Sequence, residues 1–328
     1  MTAYWPYFRG KQFELLALRE VSNFIDPSKI NPIVEPVKYK LDGLFRMMLD
    51  LASTGIPCSI VINPQVGDYS KDWERFFSEY LEMQAARQLN GIVHPTILLS
   101  PAVDLSSVRA MLDRLQADFT FTESREVHFV NKKFADIYQL SQLLENYEFD
   151  YVHVLEEPNY KSKYNRYFSE PRLVLLEDPF DKRKNADYLD IPIEPFSETF
   201  NEYALHGFEG FGDYSIVGKD FSDSGGPAWA VAIHLTFLED GDFPMLWVQH
   251  FVSDDNDSPS FPAEKFSQAL EKLIKATEDE TKFGNTRGIA HFKNLYDNGH
   301  FPGLGQVKKY SMIHHMETVT NQIQGSID

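Results

Sequence analysis

Five short apolar runs in this chain stop at a polar residue followed directly by proline. They close at Glu35-Pro36, Asn63-Pro64, Ser100-Pro101, Glu157-Pro158 and Asp178-Pro179. Proline has no N–H to give a ladder, so it ends a strand rather than continuing one. Each run therefore delivers a carboxylate, amide or hydroxyl to the C-terminal tip of a strand. If the strands are parallel, those tips share one face of the sheet, where α/β proteins place their ligand sites.

Helical and extended patterns alternate along the chain. Tyr4–Arg9 reads as a strand, and Gln12–Phe24 carries Phe13, Leu15, Leu16, Leu18 and Val21 at helical spacing. Strands at Ile30–Glu35, up to Asn63 and up to Ser100 are followed by helices over 41–52, 72–88 and one capped by Ser106 or Ser107. Val127–Asn131, Tyr151–Glu156 and Arg172–Asp178 continue the series, and Tyr214–Lys219 reads as the eighth strand. Eight such repeats predict an α/β fold of the (β/α)₈, TIM-barrel-like kind. A doubly wound open sheet is the alternative, and its glycine-rich first turn is missing.

Beyond Lys219 the pattern changes. Two apolar runs at about 228–253 predict a β-hairpin inserted after the eighth strand, and Ala263–Ala276 is expected to be the eighth barrel helix. The expected organisation is a barrel domain over 1–276 and a C-terminal extension over 277–328 packed on it, with a helix near Met312–Ile323.

The formal net charge of −18 argues against general nucleic-acid binding, which needs clustered Lys and Arg. It leaves room for a local basic pocket. A single cysteine, Cys58, excludes a disulfide framework and a cysteine-based zinc site, and it fits a reducing compartment. No apolar run reaches the roughly 18–20 residues that span a membrane. The N-terminus has no basic and apolar signal pattern, so the expectation is a cytoplasmic protein without membrane association.

The predicted mouth gathers Arg9, Glu35, Asn63, Ser100, Asn131, Glu156 or Glu157, Asp178, Lys219 and Asp220. Carboxylates there suit acid–base work or a divalent metal such as Mg²⁺, with Glu35, Glu157 and Asp178 as the catalytic candidates. Arg9, Asn63, Lys219 and Asp220 are the ligand-binding candidates. The loop Gly218–Gly226 adds Ser222, Ser224, Gly225 and Gly226, hydroxyls and open backbone that suit a phosphate. Plain turn chemistry is the rival reading of that loop, and it is not a Walker motif because Lys219 precedes the glycines.

Three other signals read as structural. Asp223-Ser224-Gly225-Gly226-Pro227 copies the string around a trypsin-like nucleophile, but the chain before it alternates β and α instead of forming all-β barrels. Asp254-Asp255-Asn256-Asp257 lacks the glycine and glutamate of a calcium loop. His234 and His250 are placed to face each other in the hairpin, yet no metal-binding histidine spacing occurs.

The string Pro6-Tyr7-Phe8-Arg9-Gly10-Lys11-Gln12-Phe13-Glu14-Leu15-Leu16-Ala17-Leu18-Arg19-Glu20 and the run Ile30–Pro36 resemble the beta-family proteins, a poorly characterised bacterial and phage-associated group. Ala230-Val231-Ala232-Ile233-His234 and His250-Phe251-Val252-Ser253-Asp254 resemble one subgroup of it, and the resemblance runs to about Ala276. It implies a barrel-like fold and frequent pairing with a small nuclease-like protein, hence a role in a bacterial antiviral-defence or mobile-element module. It supplies no catalytic residues. The leading expectation is a mouth that recognises a phosphate-bearing ligand or a nuclease-like partner. A metal-dependent phosphoester hydrolase and a degenerate barrel acting only as an interaction protein are the alternatives.

Overall fold

The computed structural model describes residues 2–323 apart from 88, 90, 118–124, 224, 227, 240, 242, 243 and 279. Contacts divide the chain into two compact units. One comprises Met1–Lys11, Asp26–Glu177 and Tyr203–Asp213; the other comprises Gln12–Ile25, Asp178–Glu202 and Tyr214–Asp328. The division does not follow the expected boundary at 276, because the chain passes between the units several times.

The first unit is built on eight parallel strands. They are β1 (Tyr7–Phe8), β2 (Ile33–Val34), β3 (Cys58–Val61), β4 (Val93–Leu99), β5 (Glu126–Asn131), β6 (Asp150–Leu155) and β7 (Arg172–Glu177). In the chain, β8 (Ile193–Ser197) comes next and belongs to the other unit; β9 (Gly210–Asp213) pairs with β7 and completes the sheet. A parallel bridge from Tyr4 to Phe211 then brings the first and last strands together, so the ring is nearly closed. This is the expected TIM-barrel-like architecture.

The helices of this unit follow local rules. Asp42–Thr54 buries Leu44, Met47, Met48 and Leu51 and ends at Gly55, left-handed at φ 79°. Ile137–Leu144 is capped by Asp136. Leu105–Ala117 is started by Asp104, whose carboxylate accepts from the Ser107 amide at 2.7 Å, so the cap is Asp104 and not the serines after it.

The eighth strand corrects the sequence expectation. It is Gly210-Phe211-Gly212-Asp213, while Ser215–Val217, inside the expected strand, forms a 3₁₀ turn. The reason is steric. A Cβ on Gly212 would lie 2.0 Å from the Trp5 carbonyl oxygen, and one on Gly210 would lie 2.9 Å from that of Ala3. Closure of the ring needs bare backbone here, and that removes the β-branched signature by which strands are recognised.

In the second unit, β10 (Ala232–Glu239) and β11 (Met245–Val252) form the expected antiparallel hairpin, with His234 opposite His250. The strand β8 adds to the far edge of β11, giving the order β10-β11-β8. Pro262–Ala276 packs on β10 and β11 inside this unit, where the sequence reading made it a barrel helix. Phe237, Phe251, Phe266, Leu273, Phe283 and Phe292 belong to the core that they share. The helix Leu304–Gln322 contacts Gln12–Val21, Arg287–Asp297 and β10, and buries its consecutive residues Ser311–Met316. No helix among the described residues is long and apolar enough to cross a membrane.

Gly212→Ala is expected to lose at least ~2 kcal/mol in urea unfolding, because the Trp5 backbone meets the new methyl. Gly225→Ala, with nothing among the described residues within 4 Å of the added Cβ, is the control and should change stability by less than about 0.5 kcal/mol.

Candidate functional site at the barrel mouth

The side chains just beyond β1, β2, β5 and β6 converge around Glu35. This residue is fully buried, yet it carries a charge, so the geometry of its partners decides whether it can persist. Its Oε2 accepts from the Tyr7 hydroxyl at 2.6 Å and from the Arg9 guanidinium, and its Oε1 accepts from the Gln65 amide at 2.8 Å. Lys132 reaches the Tyr7 hydroxyl at 3.3 Å and Glu156 at 3.6 Å. The ammonium of Lys132 also lies 4.3 Å from the Tyr7 ring centroid, and the Arg9 guanidinium 5.1 Å from it.

Burial alone would raise the pKa of Glu35. The charges of Lys132 and Arg9, with the Tyr7 and Gln65 hydrogen bonds, outweigh it and hold the carboxyl below its usual range. Burial lowers the pKa of the Lys132 ammonium, with Glu35 and Glu156 opposing. Glu35 is thus a saturated anchor. Its oxygens are spent on fixing Arg9, Tyr7 and the Gln65 backbone, which weighs against the expected role as catalytic carboxylate or metal ligand. Arg9, Lys132 and Glu156 keep partial exposure, with side chains 13, 17 and 15 % accessible, and they are the groups that a ligand at the mouth can reach. Among the described residues the Gln65 Nε2 is buried with no hydrogen-bond partner.

The other expected residues divide clearly. Asn63 exchanges two hydrogen bonds with the Leu98 backbone, at 2.8 and 2.9 Å, so its amide extends the β3–β4 ladder instead of facing a ligand. Asn131 does the same for the turn at Phe134 and accepts no ligand-facing role. Glu157 forms an exposed pair with Lys133 at 3.4 Å, and Glu156 is the one that joins the network. In the second unit, Asp178, Lys219 and Asp220 line one cavity of about 290 Å³ with Phe180, Asp181 and Lys182. Lys219 follows a turn and not a strand, and its amide donates to the Asp178 carboxylate at 3.1 Å. That amide is therefore unavailable to a phosphate. Ser222, Gly225 and Gly226 are exposed, and the two glycines border open space; Ser224 lies outside the described residues.

Tyr7 and Lys132 were missed by the sequence reading. Lys132 had a usable signal, since it directly follows Asn131 at the tip of β5. Tyr7 had none, because an aromatic within a strand reads as core.

A second polar group occupies the inside of the barrel near the start of β4 and β5. His94, Glu126 and His128 offer ligand atoms within 4.8 Å of one another, the spacing a metal could use. Their existing bonds argue for structure. His128 contacts Ser59 through Nδ1 at 2.8 Å and Glu126 through Nε2 at 2.7 Å, and Arg172 donates to the other Glu126 oxygen at 2.7 Å. Burial, then the neighbouring His128, pushes His94 down to about 3. The Glu126 carboxylate is thus already spent on His128 and neutralised by the Arg172 guanidinium, which leaves it little to offer a metal ion.

Family models, curated proteins and solved structures were compared with the chain, and none matches. The beta-family resemblance accordingly rests on the strings quoted above.

Removing the Glu35 charge should strand Arg9 and Lys132. Glu35→Gln is expected to lose about 3 kcal/mol at neutral pH in urea unfolding. Because the folded carboxyl titrates below its unfolded value, its contribution is complete above about pH 4.3 and fades as pH falls through the folded value. The gap between wild type and Glu35→Gln should therefore narrow in acid.

Proposed function

We propose that the barrel mouth recognises a phosphate-bearing small molecule through Arg9 and Lys132, with Tyr7, whose hydroxyl donates to Glu35 and accepts from both cations, holding them side by side. The supporting observation is the saturation of Glu35: a sealed carboxylate orients a phenol and a guanidinium at the end of β1, within reach of the Lys132 ammonium beyond β5. Arg9 contributes a fixed planar guanidinium and Lys132 a compact charge, which is the combination that suits phosphate oxygens. Glu156 partly neutralises Lys132 until a ligand anion competes for it. Such a site binds and orients, and none of its described carboxylates is placed as a free base. In the setting that the resemblance suggests, the protein is a ligand-sensing component of a bacterial defence or mobile-element module, working with a nuclease-like partner.

Thermal shift with inorganic phosphate and with nucleoside mono- and diphosphates tests this reading. A ligand at a hundred times its Kd should stabilise the fold by about 2.7 kcal/mol. Lys132→Met should abolish the shift, and Arg9→Lys should weaken it, while both variants unfold cooperatively. No stabilisation by any of these probes, or equal shifts in wild type and Lys132→Met, would overturn the proposal.

A further inference from the structure

The second unit contains a hydrogen-bonded series that the barrel mouth does not use. Glu194, on β8, receives the Arg183 guanidinium in a two-point pair at 2.7 and 2.9 Å. The same Glu194 Oε1 lies 3.1 Å from the His250 Nε2, and the His250 Nδ1 lies 2.7 Å from the His234 Nδ1. Phe180 and Tyr188 set their rings edge-on to His234, at 5.1 and 4.9 Å between centroids.

The proton positions follow from donor and acceptor rules. A carboxylate only accepts, so the His250 Nε2 carries the hydrogen. A neutral His250 then presents a lone pair at Nδ1, and the His234 Nδ1 must donate to it. The His234 Nε2 is left with a bare lone pair. Both rings are kept neutral chiefly by burial, with a charge on His250 and then that of Lys308 opposing protonation of His234, and Arg183 opposing that of His250, while Glu194 favours the charged His250. Among the described residues the His234 Nε2 has no hydrogen-bond partner, and the residue as a whole keeps partial exposure. Phe180, which walls His234, also lines the cavity of about 290 Å³ with Asp178, Asp181, Lys182, Lys219 and Asp220.

We infer that His234 is the proton-accepting atom of a second site in this unit, held in one tautomer by His250 and Glu194, for a small polar ligand that presents an O–H or N–H. When Nε2 takes that proton, the ligand keeps the bonding pair and His234 becomes an imidazolium. Its positive charge is then stabilised through His250 toward Glu194. The logic is that of a carboxylate–histidine pair extended by one ring. The neighbouring cavity, which shares Phe180 with His234 but is not lined by His234 itself, carries three carboxylates and two ammonium groups and so suits a hydroxyl-rich or amine-bearing ligand better than a multiply charged anion.

Long-range ¹H–¹⁵N correlation spectra of the histidine rings in the full chain test the tautomers at neutral pH. His234 should carry its proton on Nδ1, and His250 on Nε2. Diethyl pyrocarbonate then probes the lone pair, since it acylates an unprotonated imidazole nitrogen with release of ethanol and carbon dioxide. Mass-spectrometric mapping should find His234 acylated alongside the exposed His206 and His300. In Glu194→Gln, whose amide can donate to His250, and in His250→Phe, acylation of His234 should slow about tenfold. Unchanged rates at His206 and His300 serve as the folding control. A proton on the His234 Nε2 in wild type, or undiminished acylation of His234 in both variants, would overturn the inference.

Discussion

The barrel depends on one close approach of backbone to backbone. The Trp5 amide donates to the Phe211 carbonyl at 2.7 Å, and the Phe211 amide donates to the Ala3 carbonyl at 2.8 Å. These two bonds join the first strand segment to the last, and they exist because Gly210 and Gly212 leave no side chain in the way. Parallel sheets are stable only when their edges and faces are covered, so closure is what lets such short strands as β1 and β2, two residues each, persist. It also aligns the C-terminal tips of the strands around one rim.

That alignment gives Glu35 its character. An isolated buried carboxylate would be expelled or neutralised. Tips of neighbouring strands bring Arg9, Tyr7 and the Gln65 amide to its two oxygens, and Lys132 comes from across the ring. The result is a charged group that is fixed and spent, and its value is to hold its neighbours. The same distinction separates Asn63, tied into the ladder at Leu98, from the residues a ligand can reach.

The second unit solves a different problem with histidine. His314 and His315 are buried in the helix Leu304–Gln322 and satisfied by Thr286 and Thr236, so they act as polar fasteners inside a packed core. His234 and His250 share a sheet, and their series ends on the His234 Nε2, which has no partner among the described residues. Identical side chains thus serve packing in one place and leave chemistry available in another, and the difference lies in whether the second nitrogen finds a partner.

Much of this was legible from residue order alone. Proline after an apolar run marked where strands stop, helical spacing marked what lies between them, and the paired apolar runs placed His234 opposite His250. Those signals are local, set by missing N–H groups and by the two backbone periods. The glycine-built eighth strand was not legible, because its cause is Trp5, some two hundred residues away in sequence. Nor could residue order tell that Glu35 is saturated, that Glu156 and not Glu157 joins the network, or that the Lys219 amide is taken by Asp178. Partner choice among polar groups is settled by distances of a few tenths of an ångström, and only the folded chain fixes those.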